Sequence, residues 1–206
     1  MKYADFQNTF PDDRIIDIRN AETFFNGLDR RRLYEWQKQG HIRKITNGFY
    51  LFTKTETDDV LLKNIASHIY TPSYVGLQSA LSWYNFIPEA VFQTVSITTR
   101  RKKIFKTSSG TFQYHSIRKP LFFGYIPVRE GNRWFYISDP EKTLLDTFYF
   151  TPASDKRDVL DALRLNTEEI RSTVNMTRLG DYLKIFSSPK IDQAVENLRE
   201  LIHDQL

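Results

Sequence analysis

The chain has 206 residues, 40% hydrophobic and 26% charged, which excludes a disordered polypeptide and allows one sizeable core or two small ones. It contains no cysteine, so disulfides and cysteine-ligated metals are excluded, and a reducing cytoplasm is the simplest setting. The net charge of +4 fits an anionic partner. Because no signal peptide is evident and no stretch approaches about 18 apolar residues, we expect a cytoplasmic protein without a membrane span.

Two short helices are predicted near the N-terminus, separated by about three residues, as suits a helix-turn-helix. The first covers about Arg14 to Asn26 and ends at Asn26-Gly27. Its apolar residues fall on one face at helical spacing: Ile15, Ile18, Ala21, Phe24 and Phe25. The second is capped by Asp29 or the residue before it and stops at Gly40. On it Leu33 and Trp36 face inward, with Tyr34 as a further candidate.

A hairpin is predicted directly after the second helix. Its strand positions are Ile42, Ile45, Tyr50 and Phe52, and Asn47-Gly48 is the strongest two-residue signal for a hairpin turn. A helix that runs into a small two-stranded wing is typical of winged helix-turn-helix proteins, which place the helix in the DNA major groove.

The second helix and the wing supply the predicted DNA-binding residues. Arginines near the start of such a helix can bind guanine edges or phosphates, and wings commonly contact phosphates or the minor groove. The predicted set is Arg30, Arg31, Arg32, Gln37, Lys38, Arg43, Lys44 and Asn47. Three arginines alone would indicate a solvated helix face, but the preceding helix and the wing favour DNA binding. Residues 1–55 are the predicted winged domain, and the polar stretch from Thr53 to Thr57 is the linker.

The remainder, residues 56–206, is predicted to be a mixed sheet flanked by helices with a helical C-terminus, so the fold class is α+β. A helix spans Asp58 to Tyr70 and a short one ends near Pro88. The predicted strands are Phe92–Thr98, Thr111–Ile117, Tyr125–Val128 and Trp134–Ile137. A further helix runs to about Phe150, with Ser138 as its cap and Glu141 completing a capping box. From Lys156 the chain is helical, with breaks near Asn175, Gly180 and Pro189.

Charge is unevenly distributed along the chain. Lys and Arg outnumber Asp and Glu nine to four between Arg14 and Lys54 and seven to none between Arg100 and Lys119. From Asp139 to the end the ratio is nine to thirteen. Two basic regions and an acidic one suggest two surfaces with different partners. The second basic run is either a contact to nucleic acid or to a toxin, or a solvated loop between strands; its cations are Arg100, Arg101, Lys102, Lys103 and Lys106.

Catalysis is weakly indicated. Two carboxylates beside a lysine suggest a Mg²⁺-dependent nuclease built on Asp139, Glu141, Lys142 and Asp146. Helix capping explains most of that group, however, and adjacent helical residues point about 100° apart. The four histidines have no zinc-ligand spacing, and no phosphate loop or nucleophile elbow is present. We therefore expect no catalytic residue, no metal, no cofactor and no enzyme activity.

The order of these motifs resembles the AbiEi antitoxin family, the transcription-regulator half of type IV toxin–antitoxin systems for abortive phage infection. Leu28 to Phe52 resembles its winged module, and Tyr74 to Leu81 its "YVSLESAL"-like block. Val95 to Arg100 resembles the following strand, and Phe123-Gly124-Tyr125 a later one. Ile137 to Asp146 resembles the "SPEKALLD"-like helix. The resemblance covers roughly Asp12 to Phe150.

The resemblance implies a protein that binds operator inverted repeats, represses its own operon and counters a nucleotidyltransferase toxin. By position, Arg30, Arg31, Arg32, Arg43 and Lys44 would inherit DNA binding. This chain departs from the pattern in its short wing and in Asp29 and Glu35 on the recognition helix, which weaken phosphate contact. The alternatives are the nuclease and a stand-alone winged-helix regulator without a toxin. Binding as a monomer or as a dimer on DNA is equally compatible with the sequence.

Overall fold

A computed structural model describes residues 2–10, 15–25, 28–151 and 163–203. Within these ranges the chain is an α+β protein with nine α-helices and two β-sheets. The smaller sheet is antiparallel and has three strands, and the larger is mixed and has six. The predicted fold class of α+β with a mixed sheet and flanking helices is therefore confirmed.

The N-terminal part contains three helices and the small sheet. Its elements are α1 (Tyr3–Thr9), β1 (Ile16–Asp17), α2 (Ile18–Phe24), α3 (Arg30–Lys38), β2 (Ile42–Thr46) and β3 (Phe49–Phe52). The sheet order is β1-β3-β2. The first predicted helix is shorter than expected, because Ile16 and Asp17 pair with β3 and the Asp17 carboxylate then caps α2 at the Arg19 amide. Its predicted boundaries, Arg14 and Asn26-Gly27, lie outside the described residues.

Two orientations on these helices differ from the prediction. Phe24, which was expected to face inward, is 66% exposed, and Tyr34, the further candidate for the inner face, is 71% exposed. Leu33 and Trp36 are buried as predicted. Helix α3 begins at the predicted cap, since the Asp29 carboxylate accepts from the Arg31 amide at 2.9 Å. It ends at Lys38, and the chain leaves the helix through Gly40 with a positive φ of 76°. The amides of Gly40 and His41 donate to the carbonyls of Gln37 and Trp36 in the last turn.

The hairpin β2–β3 packs against neighbouring elements on both faces. Its turn is Asn47-Gly48 as predicted, with Gly48 at a φ of 86°. On one face Ile42 and Phe52 pack with Trp36 in the N-terminal core. On the other face Ile45, Phe49 and Leu51 pack against the next part of the chain. The hairpin thus joins the N-terminal helices to the larger sheet, across the boundary predicted at residue 55.

The larger sheet is built from six strands in the order β6-β7-β5-β4-β9-β8. The elements are α4 (Asp59–Ile69), β4 (Ser73–Val75), α5 (Gln78–Trp83), β5 (Thr94–Thr98), β6 (Lys103–Thr107), β7 (Gly110–Ser116), β8 (Tyr125–Glu130) and β9 (Arg133–Ser138). All four predicted strands are confirmed as β5, β7, β8 and β9. The short β4 and the basic β6 were not predicted, because neither has the alternating apolar pattern of a half-buried strand.

Four helices follow, and they cover the face of the sheet opposite α4. They are α6 (Pro140–Phe150), α7 (Thr167–Thr173), α8 (Met176–Phe186) and α9 (Pro189–His203). The helix α6 is capped by Asp139 and not by Ser138, because Ser138 is the last residue of β9 and its hydroxyl bonds that of Thr143. The break predicted at Gly180 is wrong, since Gly180 lies inside α8. The predicted helical start near Lys156 lies outside the described residues.

Candidate nucleic-acid interface

Helix α3 is anchored by two side chains and exposes the others. Leu33 and Trp36 are 3% and 4% exposed, and they pack with Phe6, Ile42 and Phe52. The Trp36 ring lies 4.8 Å from that of Phe6. The predicted DNA-binding side chains of this helix are all exposed: Arg30, Arg31, Arg32, Gln37 and Lys38. The core therefore fixes the helix axis and leaves a basic outer surface.

The arginines of α3 differ in their local partners. Arg30 forms an ion pair with Glu22 of α2 at 3.1 Å, and both side chains are substantially exposed, so the pair is worth little in water. Among the described residues, no side-chain hydrogen bond or ion pair involves Arg31 or Arg32. Arg31 and Arg32 are thus available to an external anion, and Arg30 can exchange Glu22 for a phosphate.

The predicted DNA-binding residues of the hairpin differ in their exposure to solvent. Lys44 and Asn47 are exposed, with Asn47 at the turn. Arg43 is half-buried, and its Nη2 donates to the Thr55 carbonyl at 2.9 Å and to the Thr57 hydroxyl at 2.8 Å. The guanidinium of Arg43 is therefore directed at the linker, whereas the ammonium of Lys44 faces solvent.

Helix α2 and the hairpin turn are tied together by the backbone. The Ile18 amide donates to the Gly48 carbonyl at 2.9 Å, at the first residue of α2. The Arg19 guanidinium binds Asp17 with two hydrogen bonds and lies over the Phe49 ring at 5.6 Å. Because these contacts join α2 to the hairpin and Trp36 packs α3 against the same sheet, the two helices and the hairpin form one packed unit.

The second basic run is split between a loop and an edge strand. Arg100, Arg101 and Lys102 precede β6, and Lys103 and Lys106 lie on it. All five side chains are exposed. Among the strands that the structure describes, β6 pairs with β7 alone, so it forms one edge of the sheet. The sequence left open a solvated loop between strands. The first three cations do lie in such a loop, whereas the last two lie on a strand.

The group that suggested a nuclease forms a buried network. Lys142 pairs with Asp146 one helical turn later, and neither side chain has any solvent exposure. The Lys142 ammonium also donates to the Tyr74 hydroxyl at 3.0 Å, and that hydroxyl donates to Asp146 at 2.9 Å. Asp139 accepts from the Tyr182 hydroxyl at 2.8 Å. Glu141 accepts from the Asn175 amide at 2.6 Å, which links α6 to the start of α8.

Burial shifts the pKa values of this network. It raises the pKa of Asp146 to about 6, against the opposing effect of the Lys142 ammonium. It also lowers the pKa of Lys142 and raises the pKa of Asp139. Such shifts often mark active sites. Here the Lys142 ammonium lies within 5.5 Å of the ring centres of Tyr74, Phe123 and Phe186, and neither it nor Asp146 is exposed. A substrate in solvent has no access to this pair in the structure.

The described ranges contain no candidate metal site. No three His, Cys, Asp or Glu side chains among these residues come together in a way that could hold an ion. Of the histidines, His68 bonds the Asn64 carbonyl through Nδ1 at 2.7 Å and packs on Trp134, and burial lowers its pKa. His115 lies 2.8 Å from the Gln113 side chain through Nε2.

Comparison with known proteins adds no assignment. No protein-family model matches the chain, and no curated protein matches it. None of the helices in the described ranges combines the length and apolar character needed to cross a bilayer.

Proposed function

We propose that the chain is a sequence-specific regulator of transcription that binds duplex DNA through its N-terminal part. Helices α2 and α3 and the hairpin β2–β3 act as a winged helix-turn-helix, with α3 in the major groove and the turn at Asn47 as the tip of the wing. The observation that carries this function is the outer surface of α3. There Arg31 and Lys38 are exposed while Leu33 and Trp36 hold the opposite face in the core.

The periodicity of α3 assigns different tasks to its side chains. At about 100° per residue, the face opposite the buried side chains carries Arg31, Tyr34, Glu35 and Lys38. Arg31 and Lys38 suit the O6 and N7 acceptors of guanine, which basic side chains recognise in the major groove. Arg30 and Arg32 lie on the two flanks, where phosphates border the groove. Glu35 on the same face repels phosphate and suits a cytosine amino group instead.

Binding at a promoter would repress transcription by occlusion. Helix-turn-helix proteins commonly bind inverted repeats, either as dimers or as two cooperating monomers. The resemblance to the AbiEi family points to the operon that encodes the chain itself as the target. No cofactor and no catalytic step is needed for this activity.

The larger sheet and its helices would then act against a nucleotidyltransferase toxin, as the same resemblance implies. Several residues of the blocks that carry the resemblance outside the hairpin are buried, and among them Tyr74, Leu77 and Leu81 pack with Leu144 in one core cluster. This supports a role for those blocks in specifying the fold and not in catalysis. Co-expression with the product of the adjacent gene tests the toxin part. Relief of toxicity is expected, and an adjacent gene of another class would favour the stand-alone regulator.

A DNA-binding measurement tests the central proposal. Fluorescence anisotropy would compare a duplex from upstream of the chain's own gene with a scrambled duplex. Arg31→Gln/Lys38→Gln should weaken binding to the upstream duplex by roughly 10-fold or more, since a good base contact is worth about 1–3 kcal/mol. The control is Arg171→Gln/Lys184→Gln, which removes the same two charges from exposed positions on α7 and α8. Equal affinities for the two double variants would refute the recognition role of α3.

The nuclease alternative is less favoured, because Lys142 and Asp146 have no exposure and are satisfied by each other and by Tyr74. It still has a direct test. Plasmid incubated with the protein and Mg²⁺ should remain intact, and cleavage that is lost in Asp139→Ala would restore the nuclease.

A further inference from the structure

The second basic run lies beside the predicted wing in the folded chain. The Ser108 hydroxyl in the β6–β7 turn donates to the Lys44 carbonyl of β2 at 3.4 Å, and β2 packs next to β6. About sixty residues separate these strands in sequence, so the sequence alone gives no reason to join them. Because β2 is an edge of the small sheet and β6 an edge of the large one, their exposed lysines lie on neighbouring edges.

Two of the five cations in this run, Arg100 and Lys103, lie over aromatic rings, and the backbone at Arg101 is hydrogen-bonded to one of those rings. The Arg100 guanidinium lies over the Tyr70 ring at 4.3 Å, and its Nη1 donates to the Thr71 carbonyl at 3.2 Å. The Tyr70 hydroxyl in turn donates to the Arg101 carbonyl at 3.0 Å. The Lys103 ammonium lies 4.5 Å from the centre of the Phe105 ring. These contacts lower the entropy cost of presenting the cations to an anion.

Protection of the sheet edge explains only part of this pattern. Lysines on an edge strand prevent pairing with other chains, which accounts for Lys103 and Lys106. It leaves out Arg100, Arg101 and Lys102, which precede the strand. Among the described residues no side-chain ion pair involves any of the five. From Arg100 to Lys119 the sequence has no acidic residue at all.

We infer that these residues form a second DNA contact, which continues the wing along the phosphate backbone. The basic strip, defined as Arg100, Arg101, Lys102, Lys103 and Lys106, would bind phosphates beyond the segment read by α3. Phosphate contacts position a protein on the duplex without reading its sequence. The strip therefore raises affinity for all duplexes and leaves base choice to α3. This inference depends on the proposed function, because it extends the same DNA-binding surface.

Salt dependence provides the test, because each neutralised phosphate adds about 0.9 to the slope of log K against log salt. In Lys102→Gln/Lys106→Gln the slope for a mixed-sequence duplex should fall by about 1.8, so the loss of affinity between 50 and 200 mM salt should be roughly 10-fold smaller than in the unaltered chain. Both side chains are exposed, so folding should be unaffected, as thermal unfolding would verify. Lys102→Arg/Lys106→Arg should retain the slope. The preference for the upstream duplex over the scrambled one should not change.

The matched controls separate this inference from the proposed function. The charge-matched variant Arg171→Gln/Lys184→Gln should keep the original slope, and a strip variant that behaves like it overturns the second contact. If the strip contacts an acidic protein instead of DNA, the strip variant also keeps the original slope on DNA, and the second DNA contact is again refuted. If the unaltered chain shows no salt-dependent DNA binding, the proposed function fails and the strip with it. A loss of slope in the strip variant with no effect of Arg31→Gln/Lys38→Gln would support the strip and refute the recognition helix.

Discussion

Arg43 reaches twelve residues along the chain to donate a hydrogen bond to the Thr55 carbonyl, and this contact holds the end of the hairpin against the segment that follows it. The same guanidinium nitrogen also binds the Thr57 hydroxyl. Its neighbour Lys44 points the opposite way, as successive residues on a strand do, and is exposed. Two adjacent cations on β2 thus have different surroundings, and they should have different effects when they are removed.

The first prediction uses this pair. Arg43→Ala should lower the free energy of unfolding by about 1–3 kcal/mol, because the Thr55 carbonyl loses a charged donor in a half-buried place. It should leave the salt dependence of DNA binding unchanged. Lys44→Ala should have the opposite effects. Its free energy of unfolding should stay within about 0.5 kcal/mol of that of the unaltered chain, and its slope of log K against log salt should fall by about 0.9. Urea unfolding and anisotropy titrations on the two variants measure both quantities, and a large loss of slope in Arg43→Ala would show that its side chain leaves the linker to meet DNA.

The second prediction concerns the buried pair Lys142–Asp146. Removing one partner leaves the other group buried without its counter-charge, whether it stays ionised or takes its neutral form, so Lys142→Met and Asp146→Leu should each cost about 3–5 kcal/mol. The double variant Lys142→Met/Asp146→Leu should be more stable than either single variant, since two apolar side chains of similar size can replace a buried ion pair. Urea unfolding of the four proteins gives the coupling energy. Additive losses would contradict a direct interaction.

The third prediction is a pH dependence with a defined sign. Burial raises the pKa of Asp146 from its ordinary value of 3.8 to about 6. Between these two pH values the folded state holds a proton that the unfolded state has lost, and this contribution to stability disappears as the pH rises through 6. The Lys142 ammonium opposes that rise. In Lys142→Met the pKa of Asp146 should therefore increase further. The cost of Lys142→Met should then grow above pH 6 by up to about 1.4 kcal/mol per pH unit.

Unfolding measured at acid, neutral and alkaline pH tests this sign. Lys142→Met/Asp146→Leu is the control, because it lacks the titrating carboxyl and should not show the extra dependence. A cost of Lys142→Met that shrinks as the pH rises would mean that Asp146 is not protonated in the variant.

Local signals in the sequence account for what could be predicted. Asp29, Gly40 and Asn47-Gly48 determine a cap, a helix end and a turn from a few neighbouring residues, and each lies where the sequence placed it. The four predicted strands are rich in aromatic and β-branched residues. These features depend on chain chemistry over short distances, so one sequence is sufficient to find them.

Contacts between distant residues account for what could not be predicted. The strand β1 forms because Ile16 meets Tyr50, and the short β4 because Tyr74 meets Ile97. The sequence suggests Lys142 as part of a nuclease site, but in the fold its ammonium is buried and donates to the hydroxyl of Tyr74, 68 residues earlier. The proximity of Ser108 and Lys44 likewise has no local signal. Pairing partners of this kind are set by the whole fold.

The fourth prediction compares two glycines with left-handed backbone conformations. Gly124 has a φ of 66°, and a Cβ added there would lie 3.0 Å from the Tyr182 ring and 3.1 Å from Lys142 Cβ. Gly131 has a φ of 58° with nothing within 4 Å of such a Cβ. Gly131→Ala should cost about 1 kcal/mol from backbone strain alone, and Gly124→Ala should cost about 1–3 kcal/mol more because the side chains must shift. Thermal unfolding would compare them, and equal losses would show that Lys142 and Tyr182 yield freely.

The last prediction concerns Tyr34, which is 71% exposed in the middle of the outer face of α3. A large ring between Arg31 and Lys38 is positioned for apolar contact with a thymine methyl group if α3 enters the major groove. Tyr34→Ala should leave stability within about 0.5 kcal/mol, because the side chain packs little in the free protein. Selection from a random duplex library should show that Tyr34→Ala loses a thymine preference at one or two positions, while Tyr34→Phe keeps it. Identical selected sequences for all three proteins would place the Tyr34 ring outside the groove.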